Sequence, residues 1–107
     1  MNKTTITWND REALVHPAGN VVAAAVPELR STLREMLASG VSHMIIDFQD
    51  VEMVDSTGLG LLISAHNSIS KICGKLAVIH ASKDILELFR SMRIHQHFTV
   101  SDGEVPA

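Results

Sequence analysis

Residues 42–62 read SHMIIDFQDVEMVDSTGLGLL, and the three parts of that run decide the architecture. "SHMIIDF" (Ser42 to Phe48) is short and nearly all apolar, the pattern of a strand covered on both faces. "QDVEMVD" is polar and acidic and reads as a loop. At Ser56 the pattern turns helical, with Ser56 or Asp55 placed to cap the helix and Leu62, Ala65, Ile69, Ile72 and Cys73 as its buried stripe. Gly74 is expected to end the helix, and "KLAVIH" (Lys75 to His80) reads as the next strand.

Toward the N-terminus, "TTITWN" (Thr4 to Asn9) has the alternation and β-branched content of a strand. "EALVHPAGNV" reads as a second strand broken near Pro17 and Gly19, joined to the first through a hairpin turn at "NDR". Pro27 suits the first turn of a helix in which Leu29, Leu33, Met36 and Leu37 recur at helical spacing, and Gly40 supplies its stop. Toward the C-terminus, "SKDILELFRSMR" is a helix with Ser82 as cap, Asp84 in its first turn, and Arg90 and Arg93 near its end. "HFTVS" (His97 to Ser101) closes the series as a strand. The order β-β-α-β-α-β-α-β implies one α/β domain over residues 1–107, with a short tail from residue 102. Its expected form is a mixed four- to five-stranded sheet with helices packed on it, reached by right-handed crossovers after the hairpin.

Composition narrows the function. The chain has 107 residues, 46% of them hydrophobic, enough for one core. Aromatics are few (Trp8, Phe48, Phe89, Phe98), so that core is mostly aliphatic. Net charge is −3 and the nine basic residues are scattered, which argues against nucleic acid as a partner. Cys73 is the only cysteine, so no internal disulfide forms, and a reducing compartment fits. "MNKTTITW" lacks the apolar stretch of a signal peptide, and the longest apolar run, "VVAAAV" at Val21 to Val26, is too short to cross a bilayer. The expectation is a cytoplasmic domain, monomeric or weakly dimeric, with no membrane partner, metal or cofactor.

Several chemistries can be weighed against "VDSTGLGLL" (Val54 to Leu62). A phosphate-binding loop needs GxxxxGK[ST], whereas here Gly58 and Gly60 are one residue apart and the next lysine is Lys71. A nucleophile elbow reads GxSxG, which this stretch does not match. His95-x-His97 has the look of a metal pair, but with no nearby cysteine and only Asp102 and Glu104 close by, two polar residues on a loop is the simpler reading. Cys73 beside Gly74 is expected to be a buried small hydrophobe.

What remains is the cost of the helix start. Each glycine in a helix interior costs roughly 1 kcal/mol relative to alanine, so Gly58 and Gly60 need a reason. One reason is close packing against the sheet, which can account for Gly58. The other is close approach by a partner. Leu59, Leu61, Leu62 and Ile63 cannot all face one core stripe, and by phase Leu61 is expected to be exposed. An apolar patch around exposed hydroxyls at the end of an acidic loop reads as a protein-docking surface. A phosphate on Ser56 would suit the helix N-terminus while charging that surface.

The run from "IIDFQDVEMVDSTGLGLL" through "CGKLAVIH" to "HFTV" resembles the STAS domain of bacterial anti-sigma factor antagonists, and "GNVVAAAVPELRSTLREML" extends the similarity over almost the whole chain. The motif that carries it is Asp55-Ser56-Thr57-Gly58-Leu59-Gly60, preceded by a strand ending in Asp47. The resemblance implies a non-enzymatic partner switch. The unphosphorylated antagonist binds an anti-sigma factor that is also a serine kinase, releasing the sigma factor. That kinase, with its own ATP, phosphorylates Ser56, and a metal-dependent serine phosphatase reverses the step. Asp55, Thr57, Gly58, Leu59, Gly60 and Leu61 would lie at the contact, with Asn20 and Val22 of "GNVV" beside them. Val22 stands where the family usually has an aspartate, which removes one acidic neighbour from the serine. The alternative implied by the same resemblance is an unphosphorylated STAS subunit of a larger assembly, such as a lipid-transport ABC complex.

Overall fold

A computed structural model describes residues 4–94 and 97–103. Among them, five strands form one sheet in the order β1-β2-β3-β4-β5. β1 (Thr5–Asn9) and β2 (Glu12–His16) make an antiparallel hairpin, with Asp10 at φ 53 in its turn. β3 (His43–Asp47), β4 (Lys75–Ile79) and β5 (Thr99–Val100) then add in parallel. The connecting helices are α1 (Val26–Ala38), α2 (Ser56–Ser70) and α3 (Lys83–Ser91).

Local signals account for these elements. Pro27 opens α1, and Gly40, at φ 96, turns the chain out of it. Ser82 caps α3 by accepting a hydrogen bond from the Ile85 amide at 3.2 Å, and Asp84 and Arg90 complement the helix dipole. Arg93 lies past the end of α3, at φ 59. The last strand, expected from His97 to Ser101, is only two residues long: the His97 and Phe98 amides donate to Ile94 O in a turn before it, and Phe98 is buried beside Phe89.

Each crossover advances one strand in the same direction. Right-handed connections then place all the helices on one face of the sheet. The burial pattern agrees: Ala13, Val15, Met44, Ile46, Leu76 and Val78 join the helices' apolar residues in one core cluster. The alternate residues Leu14, Ile45 and Ala77 are only half-buried on the other face. This corrects the expectation that Ser42 to Phe48 is covered on both faces. The run is apolar without a second layer because Ile45 has Leu14 and Ala77 as lateral neighbours in register. A shallow groove of about 360 Å³ opens over it, lined in part by Glu12, His43, Lys75 and Thr99.

The end of α2 also differs from expectation. The helix stops at Ser70, so Ile72 (53% exposed) and Cys73 roll off the buried stripe. Cys73, not a glycine, takes the left-handed turn position at φ 61. Gly74 is needed for a different reason: a Cβ there would collide with the Ser42 carbonyl oxygen, which accepts the Lys75 amide at 2.8 Å.

Candidate functional site

The start of α2 is held by a carboxylate. Asp55 is the N-cap, in extended conformation, and its Oδ1 accepts a hydrogen bond from the Gly58 amide at 2.9 Å. Its Oδ2 accepts from the Ala23 amide, also at 2.9 Å, tying this turn to the segment that enters α1. The Gly58 amide, then the Ala23 amide, hold the Asp55 carboxyl below its ordinary value of 3.8. Of the two caps the sequence allowed, Asp55 is the one used. Ser56 is the first helical residue and, like Thr57, is exposed. Among the described residues, nothing hydrogen-bonds to the Ser56 hydroxyl.

The connection before Asp55 is braced along its length. Asn20 Oδ1 accepts from the amides of Glu52 (2.8 Å) and Met53 (3.0 Å). The Val21 amide donates to Met53 O at 3.0 Å, the Asp55 amide donates to Val21 O at 3.3 Å, and Val21 and Val54 form a parallel bridge. Asn20 therefore acts on the loop that presents Ser56. Val22 is half-buried, and its carbonyl accepts the Ala25 and Val26 amides as the chain turns into α1.

The two glycines divide as their surroundings dictate. A Cβ at Gly58 would run into the Val21 carbonyl oxygen, so Gly58 serves close packing. A Cβ at Gly60 meets nothing within 4 Å. Gly60 is exposed and lies one helical turn from Ser56 on the same face.

Leu61 overturns its expectation. It is 3% exposed and Leu59 5%, so neither offers an apolar surface to a partner. α2 packs on the sheet along one side and against α1 along another, with Leu61 facing Leu33 and Leu37. More of its circumference is buried than a single stripe allows. The exposed apolar groups near Ser56 are instead Met53, 59% exposed, with Ala23 and Ala24. The sequence gives no sign of Met53's exposure, since it sits in a run of mixed polarity with no periodicity.

A second polar cluster was missed. Asp47, 7% exposed, accepts from His80 Nδ1 at 2.8 Å and from the Gln49 amide at 3.0 Å, and faces His16 Nδ1 at 3.3 Å. His16 Nε2 reaches Asp50 Oδ2 at 2.6 Å. Burial by itself pushes the Asp47 carboxyl up. The His80 hydrogen bond, the Gln49 amide and the two imidazoles more than offset that and hold it below 3.8. The signal was present in "ALVH", "MIID" and "AVIH", three apolar runs ending in titratable residues, whose parallel alignment brings the ends together. Of the His95-x-His97 pair, His95 lies outside the described residues. Among the described residues no group of three or more His, Cys, Asp or Glu side chains is arranged to hold a metal.

This geometry can be set beside known proteins. The STAS domain family model matches residues 4–106. An anti-sigma-B factor antagonist of Staphylococcus aureus is 27% identical over 97 residues, covering 91% of this chain and 90% of that protein. The anti-sigma-B factor antagonist of Bacillus subtilis is 30% identical over 84 residues, covering 78% and 76%. Among solved structures, the anti-sigma factor antagonist SpoIIAA in its unphosphorylated form superposes with a TM-score of 0.75 at 16% identity, covering 94% of this chain and 89% of its own. The phosphorylated form of SpoIIAA from Bacillus superposes at 0.73, with 15% identity and coverage of 91% and 89%. The chain belongs to the STAS-domain family of anti-sigma factor antagonists. No helix among the described residues is long and apolar enough to cross a membrane.

Proposed function

We propose that this chain is a phosphorylation-controlled antagonist whose unphosphorylated form binds an anti-sigma factor that is also a serine kinase, and so frees a sigma factor. Ser56 is the phosphoacceptor. The observation that carries this is its setting: an exposed hydroxyl on the first residue of α2, free of hydrogen bonds among the described residues, with the capping role already taken by Asp55. The chain supplies the acceptor and the docking surface. ATP and the catalytic groups belong to the kinase, and a metal-dependent serine phosphatase restores the hydroxyl.

A phosphate adds roughly −1.5 to −2 charges at neutral pH. At the N-terminus of α2 the helix dipole favours that charge, so the fold is little disturbed. A partner seated over Met53, Ala23, Ala24 and Gly60 would instead have to desolvate it beside Asp55. Large loss of binding with little loss of fold is what a reversible switch requires.

The test is to incubate the protein with ATP and each candidate kinase encoded near it, then map phosphate by mass spectrometry. Modification at Ser56 is expected. Modification at Thr57 alone, or none by a kinase that binds the protein, would overturn the assignment. The second of those results would favour an unphosphorylated subunit of a larger assembly.

A further inference from the structure

His16 is in an unusual position for a histidine: both its ring nitrogens face carboxylate oxygens. Nδ1 lies 3.3 Å from Asp47 Oδ2, and Nε2 lies 2.6 Å from Asp50 Oδ2. A neutral imidazole carries one N–H, whereas the imidazolium carries two. Only the protonated ring donates to both partners. Asp47 is fixed in turn, because its Oδ1 accepts from His80 and from the Gln49 amide. Asp47 belongs to the sheet. Asp50 belongs to the loop of residues 48–55 that ends at the Asp55 cap.

The other charged groups nearby do not replace His16 in this role. His80, after β4, is already engaged with Asp47. Glu52, further along the loop, is exposed; the loop's second half is tied to Asn20 and Val21, and its first half is held through the Phe48 amide on Ile79 O, the Gln49 amide on Asp47 and the Val51 amide on Phe48 O, none of which ties the Asp50 side chain to the sheet. Asp102 is exposed on the C-terminal segment that bonds to the His80 amide through Gly103 O. Lys83 and Asp84 are exposed in the first turn of α3, and β1 carries no charged residue.

We propose that His16 is a positioning residue for the Ser56 loop: its imidazolium braces Asp50 against Asp47, and loss of that proton releases the first half of the loop. The proposal rests on the reading of this loop as the docking surface, and adds pH to its control. The direction of His16's titration is consistent. The Asp50 hydrogen bond raises its pKa above 6.5 against the opposing effect of burial, and the Asp47 charge adds to the rise. A group raised on folding contributes fully below its unfolded value, and its contribution declines as pH rises through the folded value. The loop is therefore braced at and below pH 6.5 and slackens on the alkaline side, within the range in which histidine acts as a switch.

The test uses the isolated chain, by NMR titration of the imidazoles and backbone amides and by hydrogen exchange. His16 is expected to titrate above 6.5, with the amides of Gln49 to Met53 shifting at the same midpoint. Asp50→Asn, at an exposed position, should lower the His16 midpoint. His16→Gln should abolish the loop's titration. His16→Arg keeps two donors at every pH. Above the His16 midpoint its loop amides should exchange about tenfold more slowly than those of the wild type, the effect of one charge-assisted hydrogen bond. Loop amides that ignore pH, or a His16 midpoint at or below 6.5, would overturn the proposal. A kinase that ignores Ser56 would sink the proposed switch and leave the brace standing, so the two failures can be told apart.

Discussion

The switch proposed at Ser56 is compatible with the fold because its neighbour does the structural work. Asp55 holds the Gly58 and Ala23 amides, so a change at Ser56 leaves the cap in place. The cap itself answers to pH. Its folded pKa lies below 3.8, so its contribution to stability is present above 3.8 and is lost as pH falls through the lower folded value. Thermal melts in acid should show a steeper fall for the wild type than for Asp55→Asn; equal slopes would mean the carboxylate is not the cap in solution. Gly60 separates packing from docking. Gly60→Ala is expected to stabilise the fold by about 0.5–1 kcal/mol in a denaturant melt, since its Cβ meets nothing, while weakening partner binding. A variant both more stable and unimpaired in binding would remove Gly60 from the docking surface. At this scale the motif residues were legible, because an aspartate before a helix and two glycines inside one each imply a definite physical role. The His16–Asp47–Asp50 brace was not, because it joins residues that only the sheet brings together.

At the scale of elements, α2 packs on both the sheet and α1. By sequence, Leu59, Leu61, Leu62 and Ile63 exceed one stripe, which implies apolar surface left for a partner. The surplus belongs to α1, against which Leu61 packs. Leu61→Ala should therefore cost about 2–5 kcal/mol of stability, the usual penalty for truncating a buried leucine. A cost under about 0.5 kcal/mol would match an exposed side chain instead. Helix and strand order was readable from periodicity, proline, glycine and caps. Which sides of each element are covered was not, because burial depends on neighbours distant in sequence. The same gap explains the continuous apolar strand from Ser42 to Phe48: Ile45 is half-covered by lateral contacts in the sheet and needs no second layer.

Across the whole molecule, a sheet whose crossovers all run one way gathers its helices on one face, and the loops that follow β2, β3 and β4 at one end. The carboxyl ends of β2, β3 and β4 place the His16–Asp47–His80 cluster at the root of the loop that carries Ser56. The entry to α1 is tied to the same loop through Asn20, Val21 and Ala23. A charge added at the tip therefore meets a turn braced from two directions, and the fold has no need to rearrange. The most direct measurement of the central claim is calorimetric titration of the cognate kinase with wild type, Ser56→Asp and Ser56-phosphorylated protein, with thermal melts on the same samples. The expected result is about a hundredfold or greater loss of affinity on charging Ser56, equivalent to roughly 2.7 kcal/mol, with the melting temperature nearly unchanged. Equal affinity for the phosphorylated and unphosphorylated forms, or a loss of binding that appears only together with a collapse in melting temperature, would contradict it.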